Sequence, residues 1–218
     1  MKLLDTMPEE VKKLLQTEHQ KALRKLLHNR EFSNVLPMHT ARMMVNNQLK
    51  KVILPPLEIF VDPDIPIKNN KISRGAIGYR ITYNQVAFPL GHVYGSSGYL
   101  CLGNIFVPSM IPINSPQQPL ETLLLHNDRN VNHGNPKIPI TNKQREDIRS
   151  YLEMQHLPTS RTHINQIYKY IESTNWVKTD TLWEISAFVL DAVGNENLKL
   201  AFYIMDDIFK CVFPKSFE

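Results

Sequence analysis

Three short segments between residues 52 and 83 constrain the fold more than any other part of the sequence. They are rich in β-branched and aromatic residues, and they span Val52–Leu54, Leu57–Val61 and Gly78–Tyr83. Clusters of proline, aspartate and asparagine separate them, at Asp62-Pro63-Asp64 and Lys68-Asn69-Asn70. Short strand-like runs divided by polar turns are typical of antiparallel sheets. The pattern therefore predicts an antiparallel meander, which a parallel sheet with crossover helices would contradict.

Helical patterns flank these strands on both sides. The N-terminal pattern covers residues 6–28, begins with the capping pair Thr6 and Glu9, and carries one apolar stripe. A weaker pattern predicts a second helix over residues 38–50. Four more helices are predicted at Asn142–Gln155, Thr162–Thr174, Thr179–Val193 and Asn197–Val212. Strands grouped between helices predict the α+β class.

The last helices contain the clearest candidates for caps and core. Thr162 and Thr179 are expected to be N-caps, and Gly194 stands where a C-terminal glycine belongs. The expected core residues are Trp183, Phe188, Val189, Phe202 and Phe209. Between the strands and these helices, residues 89–139 are rich in proline. We expect that stretch to be an ordered loop that carries function.

Charge and cysteine content restrict the functional classes. Lysine and arginine outnumber aspartate and glutamate by 25 to 21, and this small excess is interleaved with acids. We therefore expect neither a nucleic-acid partner nor a membrane surface. No run approaches the roughly 18 apolar residues needed to span a bilayer, and the N-terminus lacks a secretory apolar core. Two cysteines, Cys101 and Cys211, do not make a disulfide scaffold, so a cytoplasmic location is expected.

The residues best suited to covalent catalysis lie between Phe88 and Asn104. A tight turn, Gly95-Ser96-Ser97-Gly98, delivers Cys101 into a loop, and Gly103 leaves room for an acyl group beside the sulfur. A cysteine thiolate can form a covalent acyl intermediate. Nearby imidazoles and amides are candidate bases and hydrogen-bond donors: His92, Asn104, His126, Asn127, Asn130, Asn132, His133 and Asn135. Cys211 follows Ile208 and Phe209 on a helix and is expected in the core.

Other kinds of site are disfavoured. The Gly95–Gly98 turn lacks the lysine and the spacing of a phosphate-binding loop, and it is not the Gly-x-Ser-x-Gly elbow of a hydrolase. The cluster His126-Asn127-Asp128 would suit a metal, but no second motif completes a ligand set. We therefore expect neither a metal nor another cofactor.

The ordered residues around Cys101 resemble the active-site segment of ubiquitin-conjugating enzymes. That family carries a histidine-proline-asparagine segment, a short turn, and then Gly-x-[Ile/Leu]-Cys-Leu. Here His92 precedes the turn and Gly98-Tyr99-Leu100-Cys101-Leu102 follows it, one residue shorter between histidine and cysteine. The segment Pro119–Leu125 resembles the start of the helix that follows the active-site loop. The order of N-terminal helix, meander, cysteine loop and later helices matches as well.

The resemblance is closer to the divergent prokaryotic branch of that superfamily, and its specific part covers residues 88–136. The matching positions are Val93-Tyr94, Gly98, Cys101, Gly103-Asn104, Pro108 and Asn130-Val131-Asn132-His133. The chain departs from the eukaryotic pattern at Val93, which replaces the proline. The asparagine that stabilises the oxyanion would fall at Tyr94 or in the turn after it. Losing one such donor costs about 10²–10³ in rate, so Asn104, Asn132 or His133 would have to replace it.

The resemblance implies a ubiquitin-conjugating-enzyme-like (UBC-like) domain at residues 1–140. Residues 141–218 hold too many apolar positions for a tail, so we expect a compact helical extension that docks partners or selects substrates. The resemblance also implies that Cys101 receives a ubiquitin-like protein from an activating enzyme as a thioester. The modifier then passes to the amine of a protein or of a small acceptor. The implied catalytic residues are Cys101, His133, Asn132 and Asn104, and the implied substrate-binding residues are Tyr94, His92 and Gly103. An acceptor thiol must meet a large partner, so Cys101 is expected in a surface groove and Cys211 is not.

Two other functions stay open. A non-catalytic adaptor would keep the fold to bind a ubiquitin-like protein or a partner enzyme, and it would tolerate loss of Cys101. An unrelated hydrolase would use Cys101 and His133. It would form an acyl-enzyme from esters or peptides without an activating enzyme.

Overall fold

The computed structural model describes residues 34–62, 67–95, 97–101, 108–126, 137–154 and 176–213. The predicted helices over residues 6–28 and Thr162–Thr174 lie outside these ranges. The described chain combines helices with small antiparallel sheets, so the fold is α+β, as predicted. Among the helices in these ranges, none is long and apolar enough to cross a membrane.

Short strands precede most of the helical structure in the described chain. The strands are β1 (Asn34–Leu36), β2 (His39–Val45), β3 (Gln48–Leu54), β4 (Leu57–Val61), β5 (Lys71–Ser73), β6 (Ile77–Ile81), β7 (Met110–Pro112), β8 (Lys137–Pro139) and β9 (Trp176–Lys178). The helices are α1 (Gln118–Leu125), α2 (Asn142–Met154), α3 (Thr179–Val193) and α4 (Leu198–Val212). Strands β1 and β6 flank β4 in one antiparallel sheet, and the other antiparallel pairs are β2–β3, β5–β7 and β8–β9.

The predicted helix over residues 38–50 is wrong, because these residues form most of the β2–β3 hairpin. Asn46 and Asn47 close the hairpin with φ angles of 50° and 62°. Two successive positive φ angles are typical of a type I′ hairpin turn, which asparagine tolerates well. In β2, Met43 and Val45 are buried while Met44 between them is half-buried. This alternation and the asparagine turn outweigh the weak helical spacing.

The strands predicted at residues 52–54, 57–61 and 78–83 are confirmed, although the last ends at Ile81. Pro55 and Pro56 stand between β3 and β4. Because proline has no N–H to donate to a ladder, the hairpin cannot continue through them. The chain changes sheets there: β3 pairs with β2, whereas β4 pairs with β1 and β6.

Helix α3 covers the edge of β3 and fixes it with one side chain. Ser186 is fully buried, donates its hydroxyl hydrogen to the Ile53 carbonyl at 3.1 Å, and accepts a hydrogen bond from the Ile53 N–H. Both backbone groups of Ile53 are thereby satisfied away from β2. The hairpin tip is held by the same helix, since Lys50 forms an ion pair with Glu184.

The core joins the strands to the C-terminal helices. The Trp183 ring centroid lies 5.5 Å from that of Phe88 and 6.4 Å from that of Phe209. Of the predicted core residues, Trp183, Val189 and Phe209 are buried, and Phe188 and Phe202 are half-buried against the same core. The boundary predicted at residue 140 falls between β8 and its partner strand β9.

The helix ends follow the predictions within one residue. Helix α3 begins at Thr179 with Lys178 as its N-cap, so the N-cap predicted at Thr179 is one residue late, and Gly194 ends the helix with φ of 77°. The N-cap predicted at Thr162 lies outside the described residues. A capping box that the sequence analysis missed begins α2. Thr141 N–H donates to Gln144 Oε1 at 2.7 Å, and Gln144 N–H donates to Thr141 Oγ1 at 3.2 Å.

Candidate active site around Cys101

Cys101 ends a short hairpin that lies against β6. The segment 92–94 runs antiparallel to 99–101, with Val93 bridged to Leu100. Tyr94 N–H donates to the Tyr99 carbonyl at 2.8 Å, and Cys101 N–H donates to the His92 carbonyl at 2.5 Å. Cross-strand partners share one face of a hairpin. The register therefore places His92, Tyr94, Tyr99 and Cys101 on one face and the buried Val93 and Leu100 on the other.

Gly98 seats this hairpin on the sheet. The Gly98 carbonyl accepts from Tyr79 N–H of β6 at 2.8 Å. Its φ is +76°, and a Cβ at this position would stand 2.8 Å from the Tyr79 carbonyl oxygen and 3.2 Å from the Phe60 ring. Only glycine meets both conditions without strain. The glycine three residues before the cysteine is therefore a requirement of the local packing.

A half-buried ring packs beneath the glycines of this region. Phe60 lies opposite Gly78 in the β4–β6 ladder, where a Cβ on Gly78 would come within 2.2 Å of the ring. The Arg80 guanidinium stands 4.0 Å from the Phe60 ring centroid, and the Tyr99 ring meets it edge-on at 5.2 Å. The Phe60 ring thus fills the space that glycine leaves and holds the outgoing strand of the cysteine hairpin.

Tyr94 lies on the same face of the hairpin as Cys101, and its side chain is 41% exposed. Interaction with the Cys101 side chain, through hydrogen bonding and then through charge, raises the pKa of the Tyr94 hydroxyl. Tyr94 therefore stays protonated and able to donate. The predicted substrate-binding residue Tyr94 and the predicted nucleophile Cys101 therefore lie on one face of the hairpin.

Cys101 itself is only 8% exposed, and Cys211 is half-buried. The expected order of accessibility, with Cys101 in a groove and Cys211 protected, is therefore wrong. Cys101 lies on a paired strand of a hairpin and its N–H is bonded within that hairpin, whereas the sequence pattern was typical of an open loop.

His92 ties the cysteine hairpin to the end of α1. It is buried, and its Nε2–H donates to the His126 carbonyl at 2.9 Å. The His126 ring in turn donates from Nδ1 to the Thr122 carbonyl at 2.9 Å, within the last turn of α1. His92 thus contacts backbone, and it positions the strand that carries Tyr94. The predicted site residues Gly103, Asn104, Asn132 and His133 lie outside the described residues.

The start of α1 is fixed by a tyrosine of the sheet. Tyr79 is fully buried in β6, donates its hydroxyl hydrogen to the Pro116 carbonyl at 2.8 Å, and accepts from Leu120 N–H at 3.2 Å. Gln117, the N-cap, makes no side-chain capping bond. Tyr79 therefore supplies the cap that the helix lacks in sequence. Sequence reasoning missed this residue because its partners are about forty positions away, beyond any local capping pattern.

Cys211 borders a groove of about 370 Å³ between α2 and α4. Its S–H donates to the Gln144 carbonyl at 3.5 Å. Burial, followed by the charge of Asp147, raises the pKa of the Cys211 thiol to about 11. The expectation that Cys211 lies in the core is thus only half met: it packs against the core and borders the groove.

Within the part of the chain that the structure describes, no three histidine, cysteine or acidic side chains lie close enough together to hold a metal ion. No protein-family model matches this chain, and no curated protein or solved structure is detectably similar to it.

Proposed function

We propose that this chain carries a ubiquitin-like protein as a thioester on Cys101 and transfers it to an amine. The observation that supports this most is the hairpin around Cys101, which Gly98 holds against β6 and in which Tyr94 lies on the same face as Cys101. Acyl transfer requires a nucleophile held in a fixed place beside a hydrogen-bond donor. Backbone hydrogen bonds give Cys101 that fixed place.

The reaction has two steps. In the first, the Cys101 thiolate attacks the carbonyl carbon of a thioester on an activating enzyme, a new C–S bond forms, and the enzyme's own cysteine leaves as a thiolate. In the second, an amine attacks the same carbon, a C–N bond forms, and Cys101 leaves as a thiolate. The proton of the amine passes to solvent. No cofactor or metal enters either step.

The proposal includes the finer fold and the partners. Residues 1–140 would form a UBC-like domain, and residues 141–218 a helical extension that docks partners or selects substrates. The order of strands, cysteine hairpin and α1 along the described chain supports this arrangement. Gly103, Asn104, Asn132 and His133 keep the roles that the resemblance implies. Both described cysteines are free thiols, which supports a cytoplasmic location.

A small thioester tests the first step without the cognate partners. The probe is the 2-mercaptoethanesulfonate thioester of N-acetylglycylglycine, incubated with the folded full-length chain and followed by intact mass. We expect one acyl adduct on the wild type and on Cys211→Ser, removed by a reducing thiol, and none on Cys101→Ala. A native wild type that forms no adduct at Cys101 would refute the proposal.

The low exposure of Cys101 favours one alternative, a non-catalytic adaptor with the same fold. If the chain is an adaptor, Cys101 should react with the thioester only after the chain is unfolded in urea.

The ethyl ester of the same dipeptide separates the carrier from a hydrolase, because a hydrolase would turn over this unactivated ester and a carrier would not.

A further inference from the structure

The groove of about 370 Å³ between α2 and α4 is preformed, because two hydrogen bonds join its walls. Gln144 Nε2 donates to the Cys211 carbonyl at 2.6 Å, and the Cys211 S–H donates to the Gln144 carbonyl at 3.5 Å. The capping box with Thr141 further fixes the Gln144 side chain on α2. These polar groups are engaged within the protein, so recognition of a ligand falls to the other side chains of the groove.

Two carboxylates border the groove, one from each helix. Asp147 of α2 is exposed, and Asp207 of α4 is half-buried. Among the residues that the structure describes, neither carboxylate has an ion-pair or hydrogen-bond partner. Lys210 also borders the groove, but its ammonium forms an ion pair with Asp206. Both walls of the groove therefore present negative charge that the described chain does not compensate.

The floor of the groove is apolar and uncharged. Ile148 and Ile208 are buried at its base, and Cys211 is half-buried beside them. Because the pKa of the Cys211 thiol is raised to about 11, the thiol stays protonated at neutral pH. An apolar floor between two carboxylates is complementary to a lysine side chain, which has a long apolar stem and a charged head. Its ammonium carries several rotatable donors and can bond to a carboxylate on each side.

We propose that this groove binds a lysine side chain of a partner protein, with the ammonium between Asp147 and Asp207 and the stem on the apolar floor. The volume lies at the lower end of the range for ligand pockets, about 300–1,000 Å³, and suits one long side chain better than a helix. Asp147 and Lys210 are exposed at the rim, so the groove admits a side chain that stays attached to a larger chain. Cys101 does not line the groove, and the inference does not depend on the carrier function.

The test measures binding of a lysine peptide to the full-length chain by fluorescence polarisation. The probe is fluorescein-labelled Gly-Leu-Lys-Leu-Gly amide, and its matched control carries Nε-acetyl-lysine, which keeps the stem and loses the charge. We expect the wild type to bind the lysine peptide with a Kd below about 1 mM. The acetylated peptide should bind at least about tenfold more weakly, since hydrogen bonds between charged groups are the stronger ones.

Two double variants test the carboxylates. Asp147→Asn combined with Asp207→Asn keeps the shape of both side chains and should weaken binding of the lysine peptide by at least about tenfold. Glu146→Gln combined with Asp191→Asn removes the same charge from exposed positions outside the groove. This control variant should bind the lysine peptide like the wild type.

Cys211 reports whether the peptide occupies the groove itself. In a Cys101→Ser variant, Cys211 is the only cysteine that remains. Iodoacetamide alkylates it at a rate that intact mass can follow. Bound lysine peptide should slow this alkylation in proportion to its occupancy, whereas a peptide bound elsewhere would leave the rate unchanged.

Four outcomes would each overturn the inference: no binding by the wild type, equal binding of the two peptides, equal binding by the Asp147→Asn/Asp207→Asn variant, or an unchanged alkylation rate of Cys211. Cadaverine that binds as tightly as the peptide would overturn a protein as the occupant. If the aspartate variant fails to fold, as judged by circular dichroism, the acetylated peptide and the alkylation rate decide.

Discussion

Two constraints require glycine at position 98, one on its backbone conformation and one on the space beside it, and both help to fix the position of Cys101. Its positive φ excludes most side chains, and the Tyr79 carbonyl occupies the space that a Cβ would need. The neighbouring Gly95 meets neither constraint, since a Cβ there would have nothing within 4 Å. The two glycines of the turn therefore differ in function although they look equivalent in sequence.

We expect Gly98→Ala to destabilise the protein by at least about 2 kcal/mol, because a left-handed residue with a Cβ costs roughly 1–2 kcal/mol and the backbone contact adds to it. The hairpin must shift away from β6, so charging of Cys101 by the thioester probe should fall as well. Urea denaturation and the probe reaction measure the two effects. Gly95→Ala is the control and should change neither. Equal stabilities of the two variants would refute this account of the turn.

Cys101 could be singled out from sequence as a candidate nucleophile, together with its glycine, because a Gly-x-x-Cys spacing in a turn is a local signal. The burial of Cys101 could not, since it depends on the pairing of 92–94 with 99–101. The placement of Tyr94 on the same face as Cys101 depends on the same register. Tyr79 as the cap of α1 depends on a sheet that lies far from the helix in sequence.

Helices and strands with strong periodicity were predicted well. The range Thr179–Val193 matches α3 at both ends, and the predicted strands 52–54 and 57–61 lie in β3 and β4. The β2–β3 hairpin was missed because its turn, Asn46-Asn47, was read as part of a helix. The division between the sheets at Pro55-Pro56 depends on which strands pair with each other, and hydrophobic periodicity does not predict that pairing.

The contact between α3 and β3 depends on Ser186, so replacing this side chain should destabilise the protein. Ser186→Ala leaves the buried N–H and carbonyl of Ile53 without their partner, and each unsatisfied buried group costs about 1–3 kcal/mol. We expect a loss of about 2–4 kcal/mol in the free energy of unfolding, measured by urea denaturation. Ser150→Ala on the exposed face of α2 is the control, for which we expect less than about 0.5 kcal/mol. A Ser186→Ala variant as stable as the control would contradict this role of the Ser186–Ile53 hydrogen bonds.

The whole molecule should lose stability in alkaline solution. Burial raises the pKa of Tyr79. Burial, followed by the hydrogen bond to Asp206, raises the pKa of Tyr83. The pKa of the Cys211 thiol rises from 9.0 to about 11. Above pH 9 the unfolded chain therefore binds fewer protons than the folded chain, and stability falls as pH rises. The contribution of Cys211 is complete below pH 9 and is lost between pH 9 and about 11.

Cys211→Ala isolates that contribution. The difference in unfolding free energy between wild type and variant should be constant from about pH 6 to 8 and should then move against the wild type up to about pH 11. Chemical denaturation at each pH gives the curve. Parallel curves across the whole range would show that the thiol titrates alike in the folded and unfolded chain.

The bond between Ser186 and Ile53 joins positions that are 133 residues apart. The β2–β3 hairpin is a local contact that needs no later part of the chain, but the edge of β3 receives its partner only when α3 has been made. Until then, the apolar run Val52-Ile53-Leu54 exposes an open strand edge, the kind of edge to which other chains add. The closing contact is also of high contact order, and such contacts form late and slowly. The C-terminal helices are therefore expected to govern how fast the chain folds and how readily its nascent form aggregates.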